Sequence, residues 1–160
     1  MTNEELFAGT ALKSWTTATS RFDKLLSSLE DEDMQSEVAP GRNRVYYLVG
    51  HLAAINDRLS PMLGIGERLH PELDRLFIDN PDGTFEDEYS GPELRKLLTD
   101  VNARITEGVK EMPPLDLLKR HAAVSEDDFA KEPLRNRLAV LESRTSHIMF
   151  HAGQIRLVRS

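Results

Sequence analysis

The chain has 160 residues, of which 39% are hydrophobic and 29% are charged, and it contains no cysteine. This length and composition are typical of one globular domain, so we expect residues 1–160 to form a single unit. The lack of cysteine excludes cysteine-ligated zinc sites, iron–sulfur clusters, a disulfide scaffold and a thiol nucleophile within the protein. The five histidines are therefore the strongest candidates for metal binding or proton transfer.

Acidic residues dominate the charge, with 27 Asp and Glu against 20 Lys and Arg and a formal net charge of −7. A nucleic-acid partner is not expected, because such proteins usually carry a basic stripe that neutralises phosphates. The N-terminal residues lack the basic leader and apolar core of a signal peptide. The longest mostly apolar stretch, residues 45–55, is shorter than the ~20 residues that cross a bilayer, so we expect a cytoplasmic protein without a membrane partner.

The first helix is predicted from the capping-box spacing of Thr2 and Glu5. Apolar residues then recur at alternating steps of three and four as far as Leu29, and Trp15 lies on this seam and is expected in the core. The acidic run at residues 30–33 should end the helix, since negative charge is unfavourable at a helix C-terminus.

The second helix is expected to begin near Asn43, a good N-cap residue, and to run to about Leu63, with a kink or an end at Pro61. A long connection follows over residues 64–90, and it contains a short helical piece at residues 71–78. A connection of this length is ample for a crossover between the second and third helices.

The third helix is predicted to begin at a second capping box, formed by Ser90 and Glu93, and to end at Pro113 and Pro114. The remaining predicted helical segments are short pieces at residues 115–121 and 125–131 and a fourth long helix at about residues 134–158. Four amphipathic helices without a predicted strand indicate an all-α four-helix bundle.

Two histidines of the fourth helix, His147 and His151, are four residues apart, so they lie on one face with about 5–6 Å between their Cβ atoms. This spacing lets two imidazole nitrogens bind one metal ion at ~2.0–2.1 Å each. The motif is not the metalloprotease HExxH, because Ile148 stands where the catalytic glutamate would be. Two ordinary surface or hydrogen-bonded histidines remain the alternative.

His51 lies in an apolar stretch of the second helix and is expected to face the core. A buried imidazole needs hydrogen-bond partners or a metal. His51 is therefore either a core histidine that bonds Tyr47 or a backbone carbonyl, or a third ligand, and metals held by facing helices are common in bundle cores. His70, in a predicted loop, and His121, at the end of a short helix, are expected to be solvated.

Two segments carry a resemblance to a known family: GHL at residues 50–52 and HIMFHAGQI at residues 147–155. Together with the chain length, the four helices and the long connection, they resemble the DinB-like (YfiT-like) superfamily over essentially the whole chain. The resemblance implies a four-helix bundle that binds nickel, zinc or a similar divalent ion through three histidines. By position these would be His51, His147 and His151.

The resemblance also implies a function, because characterised relatives include thiol S-transferases and isomerases that use a low-molecular-weight bacterial thiol, and proteins described as metal-dependent hydrolases. Three neutral imidazoles leave an open coordination position, where a metal lowers the pKa of bound water or thiol. Since the chain has no cysteine, a thiol must come from a cosubstrate. We therefore expect a metal-dependent enzyme with a small-molecule substrate. The alternative is a non-catalytic stress-response or ligand-binding bundle in which the metal is structural or absent.

Three neighbours of the histidines are further candidates. Gln154, one turn beyond His151, is a candidate for a hydrogen bond to a metal-bound ligand, and helix packing or capping is an equal alternative. Tyr47, one turn before His51, is a candidate proton donor, although core packing is favoured. Gly153 lies inside a helix, where glycine is unfavourable, and so predicts close approach by a neighbouring helix.

Asp57 shares a helix with His51, but at six residues away it should point elsewhere, so the acceptor for the second N–H of His51 is not identified. Phe150 and Leu157 on the fourth helix offer apolar surface for a homodimer.

Overall fold

The computed structural model describes residues 1–159 and has no β-strand within them, which confirms the all-α prediction. The α-helices are α1 (Asn3–Ser27), α2 (Val45–Asp57), α3 (Leu59–Met62), α4 (Leu73–Phe77), α5 (Gly91–Glu111), α6 (Glu126–Lys131) and α7 (Arg137–Arg156). Short 3-10 segments lie at Asp31–Gln35, Pro114–Leu118 and Leu157–Arg159. None of the helices in this part of the chain has an apolar stretch long enough to cross a bilayer.

The four long helices form the predicted bundle. Helix α1 packs against α5 and α7, while α2 packs against α5 and α7 on the other side. Trp15 of α1 is fully buried, as predicted, and its indole N–H donates to the Thr106 hydroxyl of α5 at 3.0 Å. The other large side chains of the core include Phe22, Met34, Leu52, Leu59, Phe77, Leu94, Ile105 and Leu117.

Local capping explains where most helices begin. Both predicted capping boxes are present, with Thr2 and Glu5 before α1 and Ser90 and Glu93 before α5. The fourth long helix begins later than predicted, at Arg137 rather than near residue 134, because the Asn136 side chain accepts the Ala139 N–H and caps it.

The N-cap predicted at Asn43 is wrong, since α2 is preceded by Arg44 and has no side-chain cap. The Asn43 carbonyl instead accepts the Val38 N–H, which holds the preceding residues in a turn. Arg44 forms ion pairs with Asp82 and Asp87 at 2.7 and 2.9 Å. These pairs attach the start of α2 to the connection between α4 and α5.

The kink predicted at Pro61 occurs, and it separates α2 from α3 at Arg58. Proline has no N–H to donate to the carbonyl four residues earlier, which belongs to Asp57. The carboxylate of Asp57 is fully buried and accepts the N–H groups of Leu69 and His70 at 2.8 Å each. As predicted, Asp57 does not bond His51; it positions the chain that follows α3.

Close approach occurs at Gly50, where α4 packs against α2, and at Gly108, where the connection after α3 packs against α5, and the prediction for Gly153 is wrong. A Cβ atom at Gly50 would lie 2.5 Å from the Phe77 ring, and one at Gly108 would lie 2.6 Å from Ile65. A Cβ atom at Gly153 would meet no atom within 4 Å. The reason is orientation, because Gly153 is exposed on α7 while its neighbour Ala152 faces the core.

Candidate metal centre

Three histidines that are far apart in sequence meet between α2 and α7. The ring centroids of His147 and His151 lie 4.5 Å apart, and that of His51 lies 5.2 and 5.5 Å from them, respectively. One nitrogen from each ring lies within 4.8 Å of the other two. The described residues of this group include no carboxylate or other ligand type.

Helix register explains why the two α7 histidines point the same way. Each directly precedes a core residue, Ile148 or Ala152, whose side chain packs into the bundle. Both imidazoles therefore lie at the edge of the core, where His147 is partly exposed and His151 is buried. His51 reaches them from the facing side of α2, as the packing of α2 against α7 allows.

Two of the rings are oriented by hydrogen bonds on the side away from the cluster. His51 Nδ1 lies 2.8 Å from the Phe77 carbonyl, and since a carbonyl only accepts, Nδ1 carries the proton. His151 Nδ1 likewise donates to the Gln154 side-chain oxygen at 2.6 Å. Both rings are thus held in the tautomer that leaves Nε2 as a lone pair, which is the usual arrangement of a metal-ligating histidine.

The two α7 rings meet through the nitrogens that would bind a cation. Because His151 Nε2 carries a lone pair, His147 Nε2–H donates to it at 2.9 Å, and a shared ion would replace this hydrogen bond. His147 Nδ1 is buried and has no hydrogen-bond partner among the described residues. One ion bound at ~2.0–2.1 Å would require its ligand nitrogens to be about 3–4 Å apart, and these nitrogens lie 2.9 Å apart in the α7 pair and within 4.8 Å of one another across the group. The donor set therefore fits a divalent ion that accepts imidazole nitrogen.

Burial keeps the three imidazoles in the neutral form that binds metals. Desolvation is the main cause that lowers the pKa of each ring. The effect is largest for His147, whose pKa falls to about 4 because the charges of its histidine neighbours and of Arg144 add to burial. At neutral pH the cluster needs to release few protons when a metal binds.

A cavity of about 530 Å³ adjoins the outer side of this cluster. Its size lies within the range of small-molecule sites, roughly 300–1,000 Å³. The lining residues are Val38, Gly41, Arg42, Asn43, Leu48, His151 and Gln154. The segment that precedes α2, which includes Asn43, thus forms part of the cavity wall.

The two other candidate residues, Gln154 and Tyr47, contact the histidine rings. The Gln154 side chain accepts a hydrogen bond from His151 Nδ1, on the side of the ring away from the cluster. The Tyr47 hydroxyl donates to the Asn80 carbonyl at 2.7 Å, and its ring stacks with that of His51 at a centroid distance of 6.3 Å. These contacts support packing as the role of Tyr47, as favoured from the sequence.

The two remaining histidines lie outside the cluster. His70 is partly exposed and pairs with Glu72 at 3.2 Å. The prediction that His121 is solvated is wrong, because its exposed fraction is 9%. The connection after α5 folds back over the bundle, where the Ala122 N–H donates to the Met62 carbonyl at 3.2 Å. A contact between segments so far apart in sequence cannot be predicted from the periodicity within one helix.

The sequence did not identify two features of this region. A backbone carbonyl was one of the expected partners of His51, but a backbone group has no residue-type signal, so Phe77 could not be named as its source. Arg144 is one turn before His147 and was not identified, because an arginine in an amphipathic helix usually lies in solvent. The histidine register of α7 was the only signal that pointed toward its position.

Comparison with known proteins places the chain in a family. No curated protein matches the sequence. The family model of the DinB superfamily matches residues 14–155, a span that includes all three histidines of the cluster, the second half of α1, all of α2 and α5 and nearly all of α7. The chain therefore belongs to the DinB superfamily.

Proposed function

We propose that this protein is a metal-dependent enzyme in which His51, His147 and His151 hold one divalent ion, nickel or zinc, and that it acts on a small-molecule substrate in the cytoplasm. The observation that carries the proposal is the convergence of three neutral imidazoles, two of them with oriented rings, and no other ligand in the group. Three protein ligands leave a coordination position for a reactant, which is the pattern of catalytic rather than structural sites.

The chain's own residues would bind the metal ion and orient the histidine rings that hold it. The Phe77 carbonyl and the Gln154 amide hold two of the rings in the tautomer that a metal requires. A bound divalent ion would lower the pKa of a thiol or a water molecule, so that either becomes a nucleophile near neutral pH. The adjoining cavity beside His151 has room for the cosubstrate and the substrate.

A low-molecular-weight thiol is the preferred nucleophile, and water is the alternative. The group contains no carboxylate that would act as a general base. A free thiol has a pKa of about 8.5, whereas the pKa of bulk water is far higher, so the thiol needs less assistance to ionise. The chain has no cysteine, and the thiol therefore arrives with a cosubstrate. This supports an S-transferase type of reaction over hydrolysis.

Elemental analysis of protein purified without a histidine tag tests the metal. We expect about one nickel or zinc ion per chain in the wild type, and loss of that ion in a His51→Ala variant, because three converging ligands become two. His70→Ala is the matched control, since His70 lies outside the cluster and should leave occupancy unchanged. Equal occupancy in the wild type and His51→Ala would refute the proposed site.

The nucleophile is tested separately on cobalt-loaded protein. Addition of 2-mercaptoethanol should produce a thiolate-to-cobalt absorption band if a thiol binds at the open position. A spectrum that instead changes only with pH, with a midpoint near 7, would favour water. A metal that is bound but responds to neither would favour the non-catalytic ligand-binding bundle.

A further inference from the structure

An arginine beside the histidine cluster has no anionic partner. Arg144 lies one turn before His147 on α7, so the two side chains share a face of the helix. It is partly buried, and its Nε is enclosed without a hydrogen-bond partner. No ion pair joins Arg144 to any acidic residue in the part of the chain that the structure describes.

The surrounding charges increase the cost of this burial. Burial is the main cause that lowers the pKa of Arg144, and the positive charge of Arg58 lowers it further. Arg58 is itself occupied, because it pairs with Asp74 at 2.7 Å. The same carboxylate also pairs with Arg68, so Asp74 is shared by two other arginines. A partly buried cation without an ion pair is stabilised when an anion binds it.

Arg144 also lies close to the proposed ligands. Its charge lowers the pKa of both His51 and His147, which places the guanidinium within electrostatic range of two rings of the cluster. Arg44, by contrast, lies away from the cluster and is neutralised by Asp82 and Asp87. The unpaired charge therefore lies on the same face of α7 as His147, within electrostatic range of a molecule bound at the histidines.

We propose that Arg144 binds a carboxylate of the substrate or thiol cosubstrate that reaches the three histidines. A guanidinium presents two parallel N–H donors, which match the two oxygens of a carboxylate. Beside His147 the uncompensated charge is that of one arginine, Arg144, which suits a monoanion better than a phosphate dianion. This inference rests on the proposed function and specifies the substrate class that the site prefers.

The test compares a thiol with and without a carboxylate on the cobalt-loaded protein. The probes are 4-mercaptobutyrate and its methyl ester, and the growth of the thiolate-to-cobalt band gives a dissociation constant for each. We expect the wild type to bind the carboxylate form about tenfold or more tightly, since a hydrogen-bonded ion pair is worth at least a factor of ten. In an Arg144→Gln variant this preference should disappear, and Arg144→Lys should retain part of it.

One control variant and one comparison variant separate the effect of Arg144 from a general loss of positive charge. The control Arg137→Gln removes another arginine of α7 whose Nε is buried without a partner, and Arg137 does not affect the pKa of the three histidines. The comparison variant Arg42→Gln removes the arginine that lines the cavity beside His151, which is the competing carboxylate site. Arg137→Gln should keep the preference, and Arg42→Gln should reduce it less than Arg144→Gln does. Loss of the preference in Arg42→Gln with retention in Arg144→Gln would overturn the assignment.

A measurement on metal-free protein distinguishes failure of this inference from failure of the proposed function. Calorimetric titration with benzoate should show binding to the wild type and about tenfold weaker binding to Arg144→Gln. Equal binding of both thiol probes by metal-loaded wild type would refute the carboxylate assignment and leave the metal site intact. Absence of metal, together with benzoate binding that depends on Arg144, would refute the enzyme proposal alone.

Discussion

Replacement of Gly50 by alanine should disturb the metal centre through the residue that orients His51. A Cβ atom at position 50 would lie 2.5 to 2.6 Å from three atoms of the Phe77 ring. Phe77 is only 2% exposed and packs against the rings of Tyr46 and Tyr47, so it has little room to withdraw. Its carbonyl accepts the Nδ1–H of His51, and a displaced Phe77 therefore changes the orientation of that imidazole.

Two opposing effects set the magnitude. Overpacking a well-packed core costs roughly 1–3 kcal/mol. Alanine is more favourable than glycine within a helix by up to ~1 kcal/mol, which offsets part of this cost. We therefore expect the free energy of unfolding of Gly50→Ala to fall by about 1–2 kcal/mol. Disturbance of the group that orients a ligating histidine should also weaken metal affinity by about 10–100-fold.

Urea denaturation of metal-free protein and metal titration measure the two effects separately. Gly153→Ala is the matched control, because Gly153 is also helical but a Cβ atom there meets nothing within 4 Å. The control should be up to ~1 kcal/mol more stable than wild type, with unchanged metal affinity. If Gly50→Ala matches the control in both measurements, the close contact with Phe77 does not orient His51.

Two further predictions concern the histidines of α7. The pKa of His147 is about 4 in the folded protein and about 6.5 for an unperturbed histidine of the unfolded chain, so between these values the unfolded chain binds a proton that the native chain does not. The free energy of unfolding of metal-free protein should therefore fall as the pH decreases from 6.5 to 4. The full shift corresponds to about 3 kcal/mol, which solvent exposure of His147 reduces to about 1–2 kcal/mol. Urea denaturation at pH 7 and pH 4.5 should show this loss in the wild type and a smaller one in His147→Gln, and equal losses would contradict it. Gln154→Leu should weaken metal affinity by about 10–100-fold, because His151 loses the acceptor of its Nδ1–H. Gln154→Glu keeps an acceptor oxygen and should preserve the affinity. Equal affinities of the two variants in a metal titration would contradict an orienting role for Gln154.

Much of the local structure followed from sequence because its causes are local. In each capping box, two side chains accept each other's backbone N–H within one helical turn, so the spacing of Thr2 with Glu5 and of Ser90 with Glu93 predicts the starts of α1 and α5. The kink before Pro61 follows from a missing N–H. These predictions needed no knowledge of which helices become neighbours.

The α7 histidines show where local reasoning reaches its limit. Their spacing of four residues placed both rings on one face, and that is what the structure has. The predictions for His121 and Gly153 were wrong because both depend on packing between distant segments. The connection after α5 folds over the bundle and buries His121, and no neighbouring segment comes within 4 Å of a Cβ atom at Gly153.

The sequence by itself therefore determined the helices, the register of His147 and His151 and the absence of an internal thiol. Only the tertiary structure decided that the Phe77 carbonyl orients His51 and that Arg144 lies beside the cluster without a carboxylate. Backbone acceptors have no residue-type signal, and the pairing of a charge depends on which acidic side chains the fold brings near it. Both are properties of contacts between distant parts of the chain, which helical periodicity does not encode.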